Sequence, residues 1–186
     1  MTVAAVVLAA GASSRFAGGA HKLATPFRGK PLVCWAVEAA GAAGLDEILV
    51  VEGRTALRDL LPGHVTVVGN PLWADGLATS LRAGLDAAAA SGHEAVVVGL
   101  GDQPLVPATA WRAVADAGER PIAVATYGGK RRNPVRLHRS VWHLVPSTGD
   151  AGARALYREF PHLVGEVACD GEPADIDTVE DLARWS

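Results

Sequence analysis

The stretch Leu8-Ala9-Ala10-Gly11-Ala12-Ser13-Ser14-Arg15, continuing to Lys22, is the first place where residue types and spacing could do chemistry. Small side chains let backbone N–H groups close on the oxygens of an anion, and a concave run of such donors binds phosphate. Arg15 and Lys22 add the positive charge that a triphosphate requires. No Gly-Lys-Ser/Thr follows, as in a Walker loop, and Gly11 lacks the Gly-x-x-Gly continuation of a dinucleotide fold. By itself the stretch supports a polyphosphate cradle, weighed against a glycine-rich connector carrying solvated basic residues.

Asp102 is the second candidate. It follows the apolar run 95–100 and is flanked by Gly101 and Pro104. Mg²⁺ takes one or two carboxylates together with substrate phosphates, so an aspartate facing a triphosphate loop has the chemistry of a metal ligand. A turn or N-cap aspartate is the plainer alternative. In Asp175-Ile176-Asp177-Thr178, alternation puts both aspartates on one side of an extended segment, where one could complete a metal site. Their alternative is solvation beside the N-terminus of a helix capped by Thr178. The residue pattern does not choose between Asp175 and Asp177. The basic run Lys130-Arg131-Arg132-Asn133 could hold an acceptor phosphate or form a solvated hairpin tip. The six histidines share no ligand spacing, and there is no Gly-x-Ser-x-Gly elbow, so a histidine metal site and a hydrolase of that type are not expected.

These residues need elements to position them. Residues 3–8 and 95–100 are continuous apolar runs, the pattern of strands buried on both faces of a parallel sheet, and both end at candidate loops. Ligands bind at that carboxyl edge of an open α/β sheet. Shorter strands are expected at 47–52 and 64–68, and helices at 31–40, 55–61, 77–90 and 107–117. Alternating strands and helices predict parallel strands with right-handed crossovers. Residues 122–126 and 134–137 predict an antiparallel pair joined by a polar turn over 127–133. Short helices at 140–145 and 151–160, a strand at 164–167 and a closing helix at 178–185, with Asp181 at its third position, complete the pattern.

At 186 residues the chain fits one domain over 1–186, and a domain near that size buries roughly 70% of its unfolded surface. Net charge is −3 with both signs scattered along the chain. That distribution gives no basic footprint for nucleic acid or anionic membranes and favours a small-molecule substrate. Cys34 and Cys169 lack CxxC spacing. The apolar start is too short for a membrane span and has no basic residue before it, so a cytoplasmic protein is expected.

Taken in order, seven segments resemble the MobA-like nucleotidyltransferase family, most closely its molybdenum cofactor cytidylyltransferase branch. They are 8–15 with Lys22-Leu23, Gly29-Lys-Pro-Leu32, Asn70-Pro71 with Gly76-Leu-Ala-Thr-Ser-Leu81, Gly101-Asp-Gln-Pro-Leu105, Arg132-Asn-Pro-Val135, Thr148-Gly-Asp-Ala-Gly-Ala-Arg154 and Ile176-Asp-Thr-Val-Glu-Asp-Leu182. The resemblance implies a Rossmann-like three-layer α/β/α fold of the nucleotide-diphospho-sugar transferase type, mostly parallel with one antiparallel strand. It implies a nucleoside triphosphate on Leu8, Ala9, Ala10, Gly11, Ala12, Ser13, Ser14, Arg15, Lys22 and Gly101, with Thr79 and Ser80 near base and ribose. Arg15, Lys22 and Asp102 would be catalytic, Asp102 and Asp177 would hold Mg²⁺, and Arg132, Asn133, Pro134, Asp150 and Arg154 would bind the acceptor.

Ala10 resembles the cytidylyl type rather than the Ala-Gly-Gly of guanylyl relatives. The implied reaction is therefore CMP transfer from CTP to a phosphorylated pterin, with a transient contact to a molybdoenzyme or its chaperone. Another NTP transferase of the same fold, or a non-catalytic nucleotide-binding or chaperone module, is the alternative. Two positions depart from the family pattern. Arg15-Phe16-Ala17-Gly18 replaces Arg-Met-Gly and lengthens the approach to Lys22, and Val179 stands where proline is common.

Overall fold

Strand β1 (Val3–Ala9) is apolar at every position, and in the computed structural model all seven of its residues are buried. The structure describes residues 1–13, 16 and 21–185. β1 pairs in parallel with β4 (Glu47–Glu52) on one side and β6 (Ala95–Leu100) on the other. β2 (Pro26–Phe27) and β3 (Lys30–Pro31) form a separate small hairpin. The seven-stranded sheet runs β5-β4-β1-β6-β8-β7-β9, with β5 Thr66–Gly69, β7 Ile122–Tyr127, β8 Lys130–His138 and β9 Val164–Ala168. β8 is antiparallel to both of its neighbours, while β7 and β9 are parallel, giving the expected mostly parallel sheet with one reversed strand.

The period of two sorts β1 between two cores. Val3, Ala5, Val7 and Ala9 pack with residues of α1 (Leu32–Ala42) and α3 (Ala108–Asp116), including Leu32, Val37 and Trp111. Ala4, Val6 and Leu8 pack with Leu81 and Leu85 of α2 (Leu77–Ala90) and with Leu156 of α4 (Arg154–Glu159). The result is three layers. Gly84 sets how closely α2 lies on β1, since a Cβ there would meet Val6 Cγ1 at 2.5 Å. That contact brings the first turn of α2 to the carboxyl end of β1. The last helix, α5 (Val179–Trp185), is capped reciprocally: Thr178 Oγ1 accepts from Asp181 N at 3.1 Å, and the Asp181 carboxylate accepts from Thr178 N at 2.9 Å.

Two stretches differ from the sequence pattern. Instead of a helix over 55–61 there is one 3₁₀ turn, Arg58–Leu60. The Leu57 side chain is fully buried and its N–H donates to the Glu52 carboxylate at 2.7 Å, so the chain is anchored to β4 before a helix could begin. Residues 130–133 are not a turn. They extend β8, leaving Gly128-Gly129 as the connection, and pair with β7 through Arg131↔Thr126 and Arg132↔Ala125. This end of β8 is solvent-exposed from Lys130 to Arg132 and therefore lacks the apolar signature of a strand. Among the described residues no helix is long and apolar enough to cross a membrane.

Candidate active site

Leu8 and Leu100 lie opposite each other in the parallel β1·β6 register, so the loops leaving these strands emerge side by side. Gly101 N donates to Leu8 O at 2.9 Å and ties the two together. A third segment, 172–177, crosses the same edge. Ile176, fully buried, pegs it down, its N–H donates to Asp102 O at 2.9 Å, and Gln103 Nε2 donates to Pro173 O at 3.2 Å. Alternation about Ile176 turns Asp175 and Asp177 toward Asp102. The peptide N–H of Asp177 donates to the capping carboxylate of Asp181 at 3.1 Å, which couples this segment to the start of α5.

Lys22 is where the loops meet. Its Nζ donates to Asp102 Oδ2 at 2.7 Å and to Asp177 Oδ1 at 3.0 Å, and the residue is only 8% exposed. The longer approach through Phe16 thus leaves Lys22 in reach of both aspartates. Burial works against the ammonium, but the Asp102 charge and the two hydrogen bonds outweigh it, and the Lys22 pKa lies above the ordinary lysine value. Asp175 stands behind this group, its carboxylate accepting from Gln103 Nε2 at 2.8 Å. Burial first, and then the Asp102 charge, pushes the Asp175 carboxyl above its usual range.

Asp102 and Asp177 offer hard oxygen donors from two loops to one point. Among the described residues no group of three or more acidic, histidine or cysteine side chains could hold a metal ion. Two carboxylates with the other positions left to substrate oxygens and water is the donor set that suits Mg²⁺. The residues therefore fit the ion implied by the family resemblance.

Two clefts open along this edge of the sheet, and Asp102 lines the first. The first, about 350 Å³, is bounded by Leu8, Ala10, Gly11, Ala12 and Ser80 together with Asp102. The Ala9 side chain points into the core beneath. Thr79 is buried, and its hydroxyl oxygen lies 2.8 Å from both Leu72 O and Gly76 O, which compete for its single proton, while it accepts from Asn70 Nδ2 at 3.0 Å. It braces the loop before α2. Ser13 adopts φ 53° and its Oγ lies 3.2 Å from His21 Nε2. Ser14 and Arg15 lie outside the described residues.

The second cleft, about 360 Å³, shares Leu8, Leu77 and Leu100 with the first and is edged by Arg131, Arg132, Asn133 and Arg154. Pro134 is buried in β8 and Asp150 borders the first cleft instead. The reason is local. Gly149 O accepts from Ala78 N and Gly149 N donates to Asp75 O, both at 2.9 Å, which pins residue 150 against the start of α2. Gly76, at φ 106°, makes this possible, since a Cβ there would lie 2.6 Å from Gly149 O.

Sequence patterning passed over several of these parts. His21 Nε2 lies 3.3 Å from Gly11 O as well as near Ser13, so it closes the base of the first loop. Burial, and then the Lys22 charge, keeps the His21 pKa below normal against the Gly11 hydrogen bond. Asn70, Gln103 and Trp73 also belong to the site. Only the Asn-Pro turn and the Gly101 to Leu105 motif hinted at two of them.

The MobA-like NTP transferase domain family matches residues 5–165. Nicotine blue oxidoreductase of Paenarthrobacter nicotinovorans is 34% identical over 199 residues, spanning 98% of this chain and 95% of that protein. The manganese complex of Rv0371c from Mycobacterium tuberculosis covers 100% of this chain and 98% of its own, with TM-score 0.80 and 30% identity. A nucleotidyl transferase from Methanothermobacter thermautotroptrophicus covers 98% of this chain and 95% of its own, with TM-score 0.85 and 25% identity.

Proposed function

The chain belongs to the MobA-like NTP transferase family, and from that premise we propose that it transfers CMP from CTP to the terminal phosphate of a molybdopterin-type acceptor. The observation that carries this reading is the convergence of Lys22 and Asp177 on Asp102, which lines the first cleft, itself sharing a floor with the second. The triphosphate would lie along the loop amides of the first cleft. The acceptor would present its phosphate from the second, beside Arg131, Arg132 and Arg154.

An acceptor phosphate oxygen attacks the α-phosphorus in line. The α–β bridging P–O bond breaks, and its electrons leave with pyrophosphate. The attacking oxygen is already anionic, so no general base is needed. Phosphoryl-type transfer is accelerated by positioning and charge neutralisation. Lys22 supplies a fixed positive charge, and the loop amides orient the phosphates. Mg²⁺ held by Asp102 and Asp177 would further neutralise phosphate charge.

The CTP assignment rests on the likeness of Ala10 to the cytidylyl type, and the pterin assignment on the same branch. Incubating the protein with Mg²⁺, molybdopterin and each of CTP, GTP, ATP and UTP tests both. Pyrophosphate release with CTP and a cytosine dinucleotide product by mass spectrometry are expected. Turnover with GTP alone would move the protein to the guanylyl type.

A second reading follows from the name of the Paenarthrobacter relative, an oxidoreductase. A reduced nicotinamide dinucleotide would then occupy the first cleft. The absent Gly-x-x-Gly spacing after Gly11 argues against it. Oxidation of NADPH or NADH with an aromatic dye as acceptor, without pyrophosphate release from any triphosphate, would favour it.

A further inference from the structure

Trp73 belongs to neither hydrophobic core. It is half-buried, opens the 3₁₀ turn Trp73–Asp75, and forms part of the wall of the first cleft. An indole buries about 150–250 Å² when it is covered. Leaving such a ring at a cleft wall forgoes that gain unless something else covers it.

The ring's support is built. Asn70, 5% exposed, donates from Nδ2 to Thr79 Oγ1 and Ser80 Oγ, both at 3.0 Å, and its Oδ1 accepts from Leu72 N at 2.9 Å. Asp75 O accepts from Gly149 N at 2.9 Å on the far side of the turn. Beneath the indole lies Gly53, just after β4. A Cβ on Gly53 would fall 2.9 Å from both Cβ and Cγ of Trp73 and 2.7 Å from Ala10 O. Trp73 is therefore seated on bare backbone, beside the point where the first loop leaves β1.

We propose that Trp73 is the stacking platform for the nucleobase of the triphosphate. The proposal rests on the nucleotidyltransferase reading and adds a binding residue to it. The same cleft holds the loop backbone at 10–12 and Asp102, the phosphate end of the site. The arginines border the other cleft, so the ring faces the nucleotide rather than the acceptor. Every base has a π-face, and stacking tolerates sequence. Trp73 thus supplies affinity common to all four triphosphates, while choice among them falls to groups at the base's edge. Ser80 is placed for that, its hydroxyl accepting from Asn70 and able to donate into the cleft.

The test is calorimetric titration, with Mg²⁺ present, of wild type, Trp73→Ala and Trp73→Phe with CTP and with inorganic tripolyphosphate, which has phosphates but no base. Stacking on one aromatic ring predicts that Trp73→Ala weakens CTP binding about tenfold or more. Tripolyphosphate affinity should stay within about twofold, and Trp73→Phe should recover most of the CTP affinity, because both outcomes follow from a π-face acting on the base alone. Equal losses of CTP and tripolyphosphate would reduce Trp73 to a brace of the loop and overturn the platform. Unchanged CTP affinity in Trp73→Ala would do the same while leaving the nucleotidyltransferase reading intact. Wild type is also titrated with GTP, ATP and UTP; if it binds none of the four triphosphates, that reading fails and the platform fails with it.

Discussion

At the scale of single residues, the site is defined by one ammonium held against two carboxylates, with a third carboxyl close by. Asp102 and Asp177 come from loops far apart in sequence, and Lys22 is the cation seen bridging them among the described residues. Taking away a preorganised charge of this kind costs roughly a hundredfold or more in turnover. Lys22→Ala and Asp102→Ala should each lower pyrophosphate release by at least about that factor, with circular dichroism showing the fold retained. Release at the wild-type rate from either variant would remove the proposed mechanism. Much at this scale could be read in advance. A glycine turn after a buried strand, a basic residue beyond it and an aspartate after a second buried strand are local patterns with local physical reasons. Trp73 and His21 could not be, because their meaning lies in what they touch: a ring lying on the backbone of a distant loop, and an imidazole closing a loop on itself.

At the scale of elements, the carboxyl edge holds its shape because the opposite ends of the strands are tied. Glu47 begins β4, and its carboxylate accepts from Thr66 Oγ1 on β5 at 2.8 Å and pairs with His93 Nε2, just past α2, at 2.9 Å. Burial pushes the Glu47 carboxyl up, but the hydrogen bonds with His93 and Thr66 outweigh it and hold its pKa below the ordinary value. A carboxyl depressed on folding adds stability above its unfolded pKa and loses that contribution as pH falls through the folded one. Glu47→Gln should therefore melt lower than wild type at neutral pH, and the gap should close below about pH 4. Paired thermal melts across that range check it. A gap of constant size would show that packing rather than ionisation is responsible. Most elements were legible from periodicity, since β1, β4, β6 and α2 are long runs with clear patterns. The end of β8 was not. Lys130 to Arg132 pair with β7 outside the core, so no apolar alternation marks them, yet this extension carries Arg132 and Asn133 to the second cleft. Asp150 borders the first cleft for a related reason: a backbone pairing with the start of α2, invisible in side-chain types, fixes its place.

At the scale of the whole molecule, the two clefts lie along one sheet edge and share a floor at Leu8, Leu77 and Leu100. A triphosphate bound there would touch residues from β1, α2 and the loop after β6, linking elements that the sheet alone holds apart. A ligand present at ~100 times its dissociation constant stabilises the folded state by about 2.7 kcal/mol. For a domain of this size that corresponds to a rise in Tm of roughly 5–10 °C. CTP with Mg²⁺ should give a shift of that order, and Asp102→Ala should give much less at the same concentrations. Equal shifts in both proteins would place the nucleotide elsewhere.

The bridge from Lys22 to Asp177 spans 155 positions of the chain. Closing so long a loop costs entropy that local contacts do not incur, and it is repaid only after the strands between are in place. Seen as a sequence of events in time, the sheet precedes the centre it serves. β1 must be clasped by β4 and β6, and Ile176 must seat beside Asp102, before the ammonium finds its second carboxylate. The contact between Lys22 and Asp177 therefore closes late, after the strands that position it.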